Sequence, residues 1–276
     1  MAFFAHRNRK CRRSAARAIC RIAVAVLHAA ALGIVAGCAA NATQRAPDGP
    51  PPASSRVHVV PFESPPLVVP ASGGGLFIIS AGQPAFGVFN LLQLAAGMPD
   101  AVERSARATR ALDAELRGAS GWEPTRVIAE HVRARLEPGG ATVTIDAALR
   151  PVPGVGTAEV DMLSNRWIRA VRAWREDNTP VADYARLAAD GVPTQVVEVA
   201  IRHYELTTGQ LFLGIDMRVV DARTGRVVGR AFDYSSSSLE PVKDTFAEGG
   251  QRYKGLFAAQ AGQLSDRCLA EMGLVR

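Results

Sequence analysis

Apolar and polar positions alternate most regularly in the carboxyl-terminal third of the chain. Val197, Val199 and Ile201 alternate with Glu198, Ala200 and Arg202, and Leu211, Leu213, Ile215, Met217 and Val219 alternate with Asp216 and Arg218. Val228 and Phe232 continue on a third run. A period of two marks strands with one face turned to a core. The short links Thr207–Gly209 and Ala222–Gly225 end in glycine, as hairpin loops do, so the segment reads as a three-strand antiparallel meander. Ser235 to Ser238 reads as a polar loop after it.

Upstream, the β-branched run Val57–Val60, stopped by Pro61, predicts the first strand, and the alternating ATVTID of 141–146 another. Helical spacing appears at Val102, Ser105, Thr109, Leu112 and Leu116 behind Asp100, and again at Val127, Ile128, Val132 and Leu136 with Pro124 in the first turn. A third helix carries Trp167, Ile168, Val171 and Trp174, and Thr179–Pro180 predict the cap and first turn of a fourth that ends near Asp190. A last helix spans about Val242 to Met272, although Gly249, Gly250, Gly255 and Gly262 argue against a single rod. The expected fold is α/β (α+β), with a mostly antiparallel sheet and helices packed on one face.

Two stretches do not fit a globular pattern. Residues 39–55 read AANATQRAPDGPPPASS, too poor in apolar side chains to fold, and are expected to be a tether reaching up to about 60 Å when extended. Ser64 to Pro99 holds no charged residue. It reads as a buried strand over Leu76–Ile79 followed by a core helix; the alternative is a glycine-flanked segment that dips into a bilayer or packs in an oligomer.

The first 38 residues change the picture. Arg7, Arg9, Lys10, Arg12, Arg13, Arg17 and Arg21 precede or flank an apolar run from Ile22 to Val35, and small residues follow at Ala36 and Gly37. That order is an export signal, and the apolar run is too short to span a bilayer. Seven of the 32 basic residues lie in this leader and none of the acids does, which leaves 25 basic against 26 acidic residues in the remainder. The net charge of +6 therefore belongs to the leader. A near-neutral remainder with 6% aromatic residues lacks the footprint of a nucleic-acid binder.

Val35-Ala36-Gly37-Cys38 resembles the lipobox of bacterial lipoproteins. That resemblance implies cleavage between Gly37 and Cys38, a thioether-linked diacylglycerol on the Cys38 sulfur, and an amide-linked acyl chain such as palmitate. Several chains together give lasting attachment where one holds only marginally. Ala39, not Asp, follows the cysteine, which by the same resemblance implies sorting to the outer membrane, facing the periplasm. The expected organisation is a signal peptide over 1–37, lipidated Cys38 and a Pro-rich tether over 38–55, and a single periplasmic α/β domain over 56–276.

The opening RVHVVPF and the stretch from VVEVAIRHYEL to VVDARTGRVVGR are similar to periplasmic lipoproteins of the curli-secretion-channel type and to TolB amino-terminal domains. Such families lack a conventional active site and act as assembly, scaffold or secretion parts of the envelope. The chain departs from them in its uncharged stretch and in its Trp-bearing helix.

The residues offer little complete chemistry. Gly118-Ala119-Ser120-Gly121 misses the spacing of a nucleophile elbow, and Gly154-Val155-Gly156-Thr157 is an incomplete dinucleotide fingerprint better read as a loop. His58, His131 and His203 are the histidines beyond the leader, and Cys268 the one thiol beyond Cys38, so no metal site and no cofactor is expected. Cys268 reads as a buried packing residue. His203 and Glu205 share a strand face and, with Asp216 or Asp233, form the one acid–base candidate, which reads otherwise as a solvated sheet face. Arg166, Arg169, Arg172 and Arg175 recur every three residues beside Trp167 and Trp174. Trp167, Arg169, Arg172 and Trp174 are thus the candidate binding surface. The sequence points to a lipid-anchored, non-catalytic envelope protein with a membrane and either an envelope protein or itself as partner. A homo-oligomeric secretion subunit and a periplasmic hydrolase using the His203 region are the alternatives.

Overall fold

The structure is a computed structural model that describes residue 44 and residues 55–68, 101–118, 121–155, 166–207, 209–239 and 245–275. All of these belong to the unit Thr43–Arg276. The leader, Cys38, most of the tether and the strand–helix reading of 76–94 lie outside the described residues.

Five strands form one open sheet in the order β2-β1-β3-β4-β5. They are β1 (Arg56–Pro61), β2 (Thr142–Ile145), β3 (Thr194–Thr207), β4 (Gln210–Asp221) and β5 (Arg226–Ser238). β1 pairs in parallel with both β2 and β3, while β3, β4 and β5 form the antiparallel meander that alternation predicts. Among the described residues four α-helices accompany them: α1 (Ala101–Arg117), α2 (Pro124–Leu136), α3 (Arg166–Glu176) and α4 (Ala247–Glu271). As an inner strand, β1 turns Val57 and Val59 into one core, and Val60 and the following Phe62 into two others, while Arg56 and His58 at its start stay partly exposed.

The larger core lies between the sheet and α1, α2 and α4. Ile128, Val132 and Leu136 of α2 and Phe257, Ala261, Leu264 and Cys268 of α4 meet Val197, Val199, Ile201, Leu213, Ile215 and Met217. α2 is started across the chain by Ser64, whose hydroxyl accepts from the Thr125 backbone N–H at 3.1 Å and so satisfies one of the helix's orphan donors. α4 is bent where its glycines predict. Glu248, Gly249 and Gly250 have left-handed φ of 55°, 66° and 72°, and a Cβ on Gly250 would lie 2.5 Å from Leu116 Cδ2. From Gln251 the helix continues through Gly255 and Gly262 unbroken. Gly262 instead lets α4 approach α2, because a Cβ there would meet the His131 ring at 3.1 Å.

Helix packing is not confined to that face. α3 lies on the opposite side, where Trp167, Val171 and Trp174 pack on Phe62, Val152 and Ala200. An indole-bearing helix needs an apolar platform, which Phe62, Val152 and Ala200 provide. Two further expectations change for a physical reason. The helix predicted from Thr179 shrinks to a 3-10 turn over Ala185–Ala188, because its backbone is drawn into long-range bonds. Arg218 donates to the carbonyls of Asp177 at 2.9 Å and Thr179 at 3.3 Å, and the Val181 N–H donates to Glu198 at 3.4 Å. Ser235–Ser238 are the end of β5 and not a loop: they pair with Gln210–Leu213, and Gln260 of α4 donates to the Ser235 carbonyl at 2.8 Å.

Candidate functional site

The α3 face of the sheet carries most of the molecule's unusual chemistry. The polar members of the alternating strands, Glu198, Arg202, Asp216 and Arg218, are all buried there. Cross-strand register sets Glu198 opposite Arg218 and Ala200 opposite Asp216. The Arg218 guanidinium donates from Nε at 2.8 Å and from Nη2 at 2.6 Å to Glu198 Oε2, and from Nη1 at 2.6 Å to the Trp174 carbonyl. Tyr184 donates to the other Glu198 oxygen at 2.9 Å. Burial and the adjacent Glu198 carboxylate push the Tyr184 hydroxyl well above its ordinary range.

A second knot holds Asp216. Arg202 grips it with two donors, one at 2.7 Å, and Arg175 Nε of α3 lies 3.2 Å away. Burial pushes the Asp216 carboxyl up to about 6, against the pull of Arg202 and Arg175. The guanidiniums also stack: that of Arg202 lies 3.7 Å from the centroid of Phe232, and that of Arg218 4.7 Å from that of Trp174. Every charged group here is committed to another, which makes the cluster a rigid clamp between α3 and the sheet.

A β-bulge in β3 between Ile201 and His203 shapes what lies next to it. It places Arg202 and His203 on the same side, so that Ile201 and Tyr204 both face the larger core. The Ile201 carbonyl accepts from the Trp167 indole N–H at 2.8 Å. Beyond the bulge the sheet face emerges from under α3. His203 Nδ1 stands 3.7 Å from Glu205 Oε1, both one-third exposed. His203 packs on Gly214, where a Cβ would come within 2.9 Å of its ring, and beside Phe232, whose ring stacks with Tyr234. Tyr234 is 65% exposed.

The sequence candidates divide accordingly. His203 and Glu205 do come together, but Asp216 is taken up by arginines and Asp233 lies on the other face, held by Arg267 of α4. Trp167 and Trp174 are buried, so they are core residues and the exposed part of the proposed surface reduces to Arg169 and Arg172, with Arg166 exposed beside them. Arg175, last of that series, is buried in the Asp216 knot. Cys268 is buried, its thiol pushed up chiefly by that burial. Gly154 and Val155 lie in a turn, and Gly156 and Thr157 outside the described residues. Among the described residues no group of three or more metal-ligating side chains comes together, and no helix is long and apolar enough to cross a membrane.

Sequence reasoning missed Gln44. It pairs with Arg230 on the free edge of β5, its N–H donating to the Arg230 carbonyl at 2.7 Å and its carbonyl accepting from the Arg230 N–H at 2.8 Å. Within the stretch read as a tether, Gln44 itself is therefore paired with the sheet. Arg230 also donates from Nη1 to the Glu176 carbonyl at 2.9 Å and from Nη2 to Asn178 at 2.6 Å, which fixes the end of α3 at the same place. Glutamine among prolines carries no signal for this.

No family model matches the chain, and no curated protein sequence does. Among solved structures, it is similar to the PelC dodecamer from Paraburkholderia phytofirmans, at 12% identity and a TM-score of 0.35, covering 84% of this chain and 96% of that one. It is also similar to lipoprotein GNA1162 from Neisseria meningitidis, at 11% identity and a TM-score of 0.31, covering 77% and 99%. The hypothetical protein CT253 from Chlamydia trachomatis matches at 13% identity and a TM-score of 0.30, covering 79% and 93%. These overlaps are too loose to assign a family.

Proposed function

We propose that the protein is a lipid-anchored, non-catalytic component of the bacterial envelope, held through an acylated Cys38 on the periplasmic side of the outer membrane, where it binds another envelope component. The observation that carries this reading is the order of a basic leader, a short apolar run and Val35-Ala36-Gly37-Cys38 ahead of a domain that begins to pair at Gln44. Support for a binding role comes from the sheet end beyond the bulge, where Phe232, Tyr234, His203 and Glu205 form a mixed aromatic and polar surface. The knots beneath it would hold such a surface rigid and so keep the ordering cost of binding small.

Mass spectrometry of the mature amino terminus tests the anchor. The expected result is an acylated Cys38, with Cys38→Ser leaving the protein unprocessed; an unmodified terminus sinks the proposal. A photocrosslinker at Tyr234 tests the binding surface in intact cells. A heterologous adduct supports an accessory role, a self-adduct supports a homo-oligomeric subunit, and no adduct removes this surface as the contact.

A further inference from the structure

We infer that the exposed arginine row of α3 is a lipid-headgroup contact, and that the Gln44–Arg230 pairing holds the domain with this row against the anionic leaflet that carries its anchor. The inference rests on the anchored reading of Cys38 and adds to it an orientation and a ligand class.

The argument starts from chain length. Cys38 and Gln44 are six residues apart, a span of at most about 22 Å even when fully extended. Covalent length alone therefore limits the separation: the β5 edge at Arg230, about 5 Å across from Gln44, can lie no more than about 27 Å from Cys38. α3 ends at the same point. It crosses the sheet from Trp167 on Ile201 of β3, over Arg218 of β4, to Glu176 on Arg230 of β5.

At about 1.5 Å per residue, Arg172, Arg169 and Arg166 stand about 6, 10 and 15 Å back along the axis from Glu176. The whole row thus lies within reach of the surface that the anchor defines.

The row is chemically suited to phosphate. Spacing by three residues sets the guanidiniums along one exposed side, while Trp167, Val171 and Trp174 bury the other. None of the three makes an ion pair among the described residues, unlike Arg175, which is turned inward onto Asp216. Arginine binds phosphate through a planar fork of donors, and each basic side chain near an anionic bilayer strengthens attachment on the order of fivefold. Glu176 and Asp177 end the row on the side of the sheet edge.

The test uses the full lipidated protein inserted into preformed vesicles. Cys38 is blocked by its lipid and Cys268 is buried, so an introduced thiol is the reactive one. Arg169→Cys places it in the row, and Gln263→Cys places it on the exposed side of α4, across the sheet. A charged maleimide should label the two at similar rates in detergent. In phosphatidylethanolamine–phosphatidylglycerol vesicles, Arg169→Cys should slow roughly tenfold relative to Gln263→Cys, and the slowing should shrink in phosphatidylcholine alone and in high salt. Gln44→Pro, which deletes the N–H that reaches Arg230, should relieve the protection while the acyl chains keep the protein on the vesicle.

Equal labelling of the two cysteines in phosphatidylglycerol vesicles, with the lipid mass present on Cys38, overturns the inference and leaves the anchor intact. Protection seen in native envelope membranes but not in lipid vesicles overturns it too, in favour of a protein contact. A terminus without lipid removes the anchored reading and this inference with it.

Discussion

The two faces of the sheet grow from the same strands, yet they are held in opposite ways. On the α2/α4 side, Val197, Val199, Ile201, Leu213, Ile215 and Met217 meet apolar helix residues, and each fully buried side chain contributes about 1.5–3 kcal/mol with no need of a particular partner. On the α3 side, the intervening positions of the same strands include Glu198, Arg202, Asp216 and Arg218, equally buried beside Ala200, Val196 and Val220. Charges there stabilise only as partners, because each alone would pay for its lost hydration. One face therefore tolerates gradual change, and the other depends on a few exact pairings. That difference makes α3 the fixed element of the molecule, and it is α3 that carries the exposed arginines.

The comparison is strained most by Asp216→Ala. It leaves Arg175 and Arg202 buried without their carboxylate, and the expected loss is about 3–5 kcal/mol in equilibrium denaturation. Removing both members of the other pair, Glu198→Met with Arg218→Met, should cost less than either single change, since neither charge is then left alone. Additive losses in the double variant would show that the pairing is not what holds α3.

Acidity probes the same knot with a smaller effect. Burial raises the Asp216 carboxyl to about 6 from 3.8, so between those values the folded protein keeps a proton that the unfolded chain has released. Through burial, the contribution of this group to stability is fullest below about pH 4 and is lost as pH rises through 6. Denaturation curves of the protein and of Asp216→Asn should diverge in this sense over pH 4–6. Parallel curves would mean that the arginines, and not burial, govern the carboxyl.

On the apolar face, Gly250→Ala should cost about 1–3 kcal/mol, since it asks a Cβ to adopt a φ of 72° and to enter the space of Leu116. The thermal midpoint should fall, whereas Gly255→Ala, with open space around it, should not lower it.

How far the sequence could reveal this fold follows from what is local. Strands β3–β5 and their hairpins are legible because a two-residue period and glycine-ended turns are encoded side by side. The break at Gly249–Gly250 is legible because glycine is the costly helix residue. The burial of Glu198, Arg202, Asp216 and Arg218 is not, since alternation says which side of the pleat a residue takes but not whether water or a helix lies there. The available hint is in α3, whose Trp167 and Trp174 need a covered face. The missing helix after Thr179 fails for the same reason: its backbone is claimed by Arg218 and Glu198, 39 and 17 residues away. Of the candidate site, the arginine row is legible as a helix stripe, and Gln44 is invisible because edge pairing depends on what the partner strand leaves free.

The smallest expected effect separates buried from exposed pairing most sharply. Arg267 of α4 holds Asp233 on the α2/α4 side, with the same chemistry as Arg202 on Asp216 but with the arginine half exposed. Water already solvates both groups there, so separating them restores hydration where separating the buried pair would strand a charge. Arg267→Ala should therefore change stability by only about 0.2–1 kcal/mol, and less in high salt. A loss comparable to that of Asp216→Ala would mean that pairing geometry, and not exclusion of water beneath α3, sets the strength of these contacts, and the contrast between the two faces would collapse.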